Sequence, residues 1–121
     1  SYTTFALSNL RASSSSMNQD GRITFTVTVK NTGKRAGAET VQLYIHDVKS
    51  SVDRPYKELK GFQKVSLQPG ESRDVAITID RDALSFYDET TSSWKAEAGK
   101  FEALVGNASD NLRLRKSFTL E

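Results

Sequence analysis

Fifteen carboxylates, one histidine and no cysteine are the groups from which this 121-residue chain would have to build a reactive centre. Hydrolysis of a glycosidic bond needs two carboxyl groups about 5 to 10 Å apart across a sugar ring. The pairs that spacing allows are Asp47 with Asp53 or Glu58, and Asp82 with Asp88 or Glu89. Nothing in the spacing selects one of them, and acids scattered over a charged domain are mostly solvated surface or turn residues. A serine nucleophile would have to pass its proton to His46, the only histidine. His46 lies on the polar parity of its segment, and no Gly-x-Ser-x-Gly elbow is present. An exposed strand-end histidine is therefore the expectation. Without cysteine, thiolate zinc sites, thiol catalysis and disulfides are excluded. Asp80-Arg81-Asp82 and Asp88-Glu89 come nearest to a calcium loop, but neither has the twelve-residue pattern. Asn107-Ala108-Ser109 has the form of a glycosylation sequon. No catalytic, cofactor-binding or metal-ligating residue is expected.

The elements that hold these groups read as strands. Ile23, Phe25, Val27 and Val29 alternate with Arg22, Thr24, Thr26 and Thr28, the period of a half-buried strand. Val41, Leu43 and Ile45 repeat the pattern, as do Val75, Ile77 and Ile79, and Phe101, Ala103 and Val105. Leu112, Leu114, Phe118 and Leu120 share a parity on which Lys116 intrudes, marking either a bulge or a sheet edge. Asn18-Gln19-Asp20-Gly21, Asn31-Thr32-Gly33, Pro69-Gly70 and Gly106-Asn107 punctuate these runs. The Ser13-to-Ser16 run reads as a flexible hairpin loop. Asp80 to Ser85 predicts a single Asp-capped helical turn at a crossover. Seven to eight short strands with this punctuation predict an antiparallel β-sandwich. One domain spanning residues 1–121 is expected from the length and the lack of an interior linker. Phe25, Phe101 and Phe118 are expected in the core. Trp94 is expected there too, because it shares parity with Ala96 and Ala98 while Lys95 and Glu97 take the other side. Tyr44 and Tyr56 are the aromatics expected at the surface.

Composition excludes several partners. A net charge of +2 is too small to argue for nucleic acid. No apolar run approaches the ~18 residues of a membrane helix. Ser1 rather than Met stands first, so the chain is expected to be cut from something longer. Residues 47–62 are unusual for a connector, with Arg54, Lys57, Lys60, Asp53 and Glu58 interleaved with Val52, Pro55, Tyr56, Leu59 and Phe62. Apolar anchors within a polar rim are the make-up of a docking surface. The alternative is a loop folded back on its own sandwich.

The same residues carry a family resemblance. Ser1-Tyr2-Thr3-Thr4-Phe5 with Ser8-Asn9-Leu10, and Val27 to Gly33 followed by Val41 to Ile45, resemble the opening strands of one family. So do Ser50 to Phe62, Pro69-Gly70-Glu71, Leu84 to Asp88, Trp94, and Gly99-Lys100-Phe101 with Val105-Gly106. The family is the C-terminal fibronectin type III-like (immunoglobulin-like) domain of glycoside hydrolase family 3 enzymes, the β-glucosidases and β-xylosidases. The Ser-Ser-Val-x-Arg-Pro-x-Lys-Glu-Leu block is the most specific part. The resemblance implies a non-catalytic accessory domain, because the family's two catalytic carboxylates lie on preceding domains. It implies docking of Val52, Arg54, Pro55, Tyr56, Lys57, Glu58 and Leu59 against the catalytic domains of the same polypeptide, without a cofactor. It also implies an extracellular or periplasmic setting, with the cytoplasm as the alternative. A polysaccharide- or plant-polymer-binding module is the second expectation, and a free-standing adhesion domain the third.

Overall fold

A computed structural model describes residues 3–121, so Ser1 and Tyr2, which open the family match, lie outside it. Ten strands follow in order among the described residues. They are β1 (Phe5–Ala12), β2 (Ser16–Met17), β3 (Arg22–Asn31), β4 (Gly37–Asp47), β5 (Glu58–Leu67), β6 (Ser72–Asp80), β7 (Phe86–Asp88), β8 (Ser93–Lys95), β9 (Gly99–Gly106) and β10 (Leu114–Leu120). One sheet has the order β1-β3-β6, the other β2-β10-β9-β4-β5, and β7-β8 forms a separate hairpin. Eight strands, β2 among them, make the two sheets of the sandwich, and seven of the ten strands have seven or more residues. The other three are too short to show a period in the sequence.

Alternation sets the layers. In β3, Ile23, Phe25, Val27 and Val29 are buried, while Thr24, Thr26 and Thr28 face outward. β6 pairs with β3 without interruption from Arg22↔Asp80 to Lys30↔Ser72, so its Val75, Ile77 and Ile79 face the same core. The outer face of this sheet is polar: the Thr24 and Thr78 hydroxyls meet at 2.7 Å, and Thr28 donates to Asp74 at 2.8 Å. Val41, Leu43, Ile45, Phe101, Ala103, Val105, Phe118 and Leu120 supply the opposite wall. Phe118 joins the two walls, edge-on to Phe25 at 5.3 Å and stacked on Phe101 at 5.7 Å.

The Ser13-to-Ser16 segment is more ordered than a flexible loop. The Ser13 hydroxyl accepts from the Thr24 N–H at 2.9 Å, and the Thr119 N–H donates to the Ser15 carbonyl at 3.0 Å. The chain leaves one sheet here and adds β2, parallel, to β10 of the other. Lys116 marks an edge and not a bulge. The β9–β10 register is unbroken through it, and β2 covers only Thr119 and Leu120. The expected turn after β6 is a 3₁₀ turn over Arg81–Leu84, with the Asp80 carboxylate accepting from the Asp82 N–H at 2.9 Å.

Asn31 explains the Asn-Thr-Gly signal. It is fully buried, and its amide donates to the Arg35 and Leu67 carbonyls at 2.8 and 3.1 Å. Its side-chain oxygen accepts from the Gly33 N–H at 3.0 Å and the Thr3 hydroxyl at 2.8 Å. One side chain thus ties four segments at one end of the sandwich, with every polar atom satisfied. Gln68-Pro69-Gly70-Glu71 closes at the same end. Gly70 has φ 77° and the Glu71 N–H donates to the Gln68 carbonyl at 3.0 Å, which makes a type II turn that needs glycine.

Trp94 is not in the core. Its alternation with Ala96 and Ala98 is real, but β8 pairs only with β7, outside the sandwich. The indole is 72% exposed.

Candidate docking surface

Arg54 organises the end of the sandwich opposite Asn31. Pro55 holds it in extended backbone, and its guanidinium turns inward, with the side chain only 8% exposed. Its two terminal nitrogens meet Asp47 at 3.4 Å, at the end of β4, and Glu58 at 3.0 Å, at the start of β5. They also donate to the Leu84 and Ser85 carbonyls at 3.2 and 3.3 Å, and the guanidinium lies 5.5 Å from the Phe86 ring centre. A planar donor fork suits this arrangement, in which one cation satisfies acceptors on two connections. A second tie runs in parallel. The Ser51 N–H donates to Glu97 at 3.2 Å and the Ser51 hydroxyl donates to its other oxygen. Bonding from Ser51 holds the Glu97 carboxyl below its ordinary value.

The aromatic part of the surface is fixed separately. The His46 Nδ1–H donates to the Tyr56 carbonyl at 2.6 Å, and the two rings stack at 4.0 Å. His46 is thus a platform for Tyr56. Lys57 places its ammonium 5.9 Å from the Tyr44 ring centre.

A bulge in β5 decides what this strand presents. Leu43 pairs with Gly61 but Tyr44 pairs with Leu59, which leaves Lys60 as the extra residue. Strict alternation would send Leu59 inward with Gly61. The bulge instead puts both Leu59 and Phe62 on the outer face, opposite Tyr44 and Gln42. Phe62 is 66% exposed and Leu59 nearly half exposed. Gly61 is needed at this turn of the strand, since a Cβ there would lie 2.6 Å from Ile77 Cγ2 across the sandwich.

The seven residues singled out in the sequence therefore divide. Val52, Pro55, Tyr56 and Leu59 are exposed. Arg54 is spent on contacts within the chain, Glu58 is half-buried beside it, and Lys57 is half-buried over the Tyr44 ring. Phe62 belongs with the exposed set, and its signal was its place one residue beyond Gly61 in a bulged edge strand. Of the candidate carboxylate pairs, Asp47 and Glu58 are brought together, but on opposite sides of one guanidinium. No group of three or more His, Cys, Asp or Glu able to hold a metal occurs among the described residues.

All seven large apolar side chains exposed among the described residues cluster in three places. Val48, Val52 and Tyr56 are on the β4–β5 connection, Leu59 and Phe62 on β5, and Tyr87 and Trp94 on the hairpin. None lies on the three-stranded sheet.

Comparison with known proteins matches residues 39–109 to the fibronectin type III-like domain. Over 113 residues, 93% of this chain, it is 50% identical to the β-glucosidase BoGH3A of Bacteroides ovatus, covering 15% of that protein. It is 47% identical over 106 residues to a periplasmic β-glucosidase of Salmonella typhimurium, 88% of this chain and 14% of that one. Among solved structures, the β-glucosidase EmGH1 of Erythrobacter marinus superposes with a TM-score of 0.92 at 37% identity, over 99% of this chain and 16% of that one. The chain thus spans about 15% of the length of the curated relatives it matches.

Proposed function

The chain belongs to the fibronectin type III-like domain family, and we propose that it acts, as a single unit, as the non-catalytic C-terminal accessory domain of a family 3 β-glucosidase. In this reading it packs against the catalytic domains of the same polypeptide and supports their arrangement, while those domains hydrolyse terminal β-glucosyl residues. The setting is extracellular or periplasmic, as for the Salmonella relative by its name.

The observation that supports the reading is the gathering of exposed apolar side chains, Val48, Val52, Tyr56, Leu59 and Phe62, on the β4–β5 connection and β5. Exposed apolar side chains gathered among charges are a mark of an interface. Val52, Pro55, Tyr56, Leu59 and Phe62 touch the partner domain, and Lys57 stands at its rim. Arg54 and Glu58 position this surface from beneath. Burying a Leu or Phe there contributes about 1.5 to 3 kcal/mol each, enough for a few anchors to decide the association.

The experiment is a double substitution, Tyr56→Ser with Leu59→Ser, made in the full-length enzyme and in the 121-residue chain alone. The full-length enzyme is expected to lose melting temperature and activity together. The chain alone is expected to lose no more than about 1 to 2 kcal/mol, since Leu59 is half exposed and Tyr56 gives up only its stack on His46. Unchanged melting and activity in the full-length enzyme would remove the docking reading.

A further inference from the structure

The β7–β8 hairpin has two faces with different occupations. Phe86 points toward the Arg54 guanidinium, 5.5 Å from its ring centre. Side chains alternate along a strand, so Tyr87 turns the other way, with Trp94 directly opposite it in register. Tyr87 also borders a shallow cleft with Val52, Asp53 and Arg54, while Trp94 borders a second one with Asp82 and Ser85. Their rings meet edge to face at 5.5 Å and 77°, which fixes the indole while leaving it 72% exposed.

A cleft of about 350 Å³ opens beside Trp94, and its other walls are Asp82 and Ser85. The Asp82 backbone is used in the 3₁₀ turn: its N–H donates to Asp80 at 2.9 Å and its carbonyl accepts from the Ser85 N–H at 3.3 Å. Its carboxylate has no hydrogen bond or ion pair among the described residues. The Ser85 hydroxyl donates to the Arg81 carbonyl at 2.9 Å and keeps its acceptor lone pairs. No lysine or arginine lines the cleft.

We propose that this hairpin face is a carbohydrate-contact site that takes one β-glucosyl ring. Trp94 is the stacking platform, Asp82 the acceptor for vicinal hydroxyls, and Tyr87 the positioning residue behind the indole. A β-glucosyl ring has equatorial hydroxyls around its rim and so presents an apolar C–H face, which suits the electron-rich face of an indole. The same ring carries adjacent hydroxyls that a free carboxylate accepts in pairs. The cleft is at the small end of ligand pockets, the size for one sugar ring and not for a chain. The indole is already held, so stacking on it costs little ordering. The choice of β-glucoside rests on the β-glucosidase reading above, whereas the ring-and-carboxylate site does not.

The chain has one tryptophan, so its indole fluorescence reports Trp94 alone. The 121-residue chain is titrated with laminaribiose, cellobiose and the α-linked maltose. The expected result is a saturable change with the two β-linked sugars, with a dissociation constant around 1 mM as fits a single-ring contact. Asp82→Asn is expected to weaken it at least about tenfold. Calorimetry of Trp94→Ala, an exposed position that tolerates the change, is expected to show no binding. Absence of a saturable response, or a response that Asp82→Asn leaves unchanged, overturns the proposal. So does a fall in melting temperature of the sugar-free full-length enzyme on Trp94→Ala, which would make Trp94 an interdomain anchor. Failure of the docking reading shows elsewhere, as unchanged melting in the Tyr56→Ser, Leu59→Ser enzyme.

Discussion

At the scale of the residue, Arg54 concentrates the most interactions at the loop end of the molecule. Removing it leaves the Asp47 carboxylate, only 9% exposed, without its cation, and two carbonyls without donors. Breaking a buried pair from one side costs about 3 to 5 kcal/mol. Because Glu58 is 32% exposed, a discounted cost of about 2 to 3 kcal/mol is expected for Arg54→Ala by urea denaturation. Arg54→Lys should rescue little, since an ammonium cannot span four acceptors and a ring as the planar fork does. Full rescue by lysine would mean that charge alone matters here. Gly61 gives the complementary case of crowding. Gly61→Ala places a methyl 2.6 Å from Ile77 Cγ2, and a loss of about 1 to 3 kcal/mol is expected. Combining it with Ile77→Val, which removes a methyl group, should return part of that loss.

At the scale of the element, several carboxylates bind connections and strands together. Glu71 is held below its ordinary value by the Gln68 N–H and by Arg73, Asp74 by the Thr28 hydroxyl and by Arg11, and Glu97 by Ser51. Each folded-state value is depressed, so the unfolded chain binds protons more readily at acid pH. The stability these groups contribute is present above the ordinary carboxylate range and is lost as pH falls through and below it. The melting temperature is therefore expected to be level from neutral pH down to about 5 and then to fall toward pH 3. Ser51→Ala should flatten part of that fall, because it removes the largest cause of the Glu97 shift. A melting profile indifferent to acid would show that these bonds do not persist in solution. The bulge at Lys60 acts at the same scale, since one extra residue decides which side chains β5 leaves exposed on its outer face.

At the scale of the whole molecule, the two sheets are joined through Phe118, which touches Phe25 of one and Phe101 of the other. Phe118→Ala should cost about 3 to 5 kcal/mol, a large share of the roughly 5 to 15 kcal/mol typical of a domain. The expected readout is a lowered denaturation midpoint with the cooperativity retained. The sandwich is also polarised. The three-stranded sheet shows water a threonine-rich face, and the exposed apolar side chains gather around the β4–β5 connection and the hairpin.

Much of this was legible in the linear order of residues. Period-two alternation placed the buried faces of β3, β4, β6 and β9, because one face of each strand must meet the core. Turn chemistry placed Pro69-Gly70 and the Asp80 cap, because backbone angles and capping are local. The mixed make-up of residues 47–62, apolar residues set among charges, was legible too, and the structure leaves Val52, Tyr56, Leu59 and Phe62 exposed there. Three things were not. Arg54 reads as a surface charge until the chain brings the Leu84 and Ser85 carbonyls, about thirty residues away, within reach of it; backbone acceptors leave no mark in sequence. Leu59 and Phe62 lie three apart and share a face only because of the bulge, which pairing with β4 reveals. Trp94 alternates like a core residue, but its partner strand is β7 and no second sheet lies beneath it. Alternation states that a strand has two faces, and only the tertiary arrangement decides whether anything covers either of them.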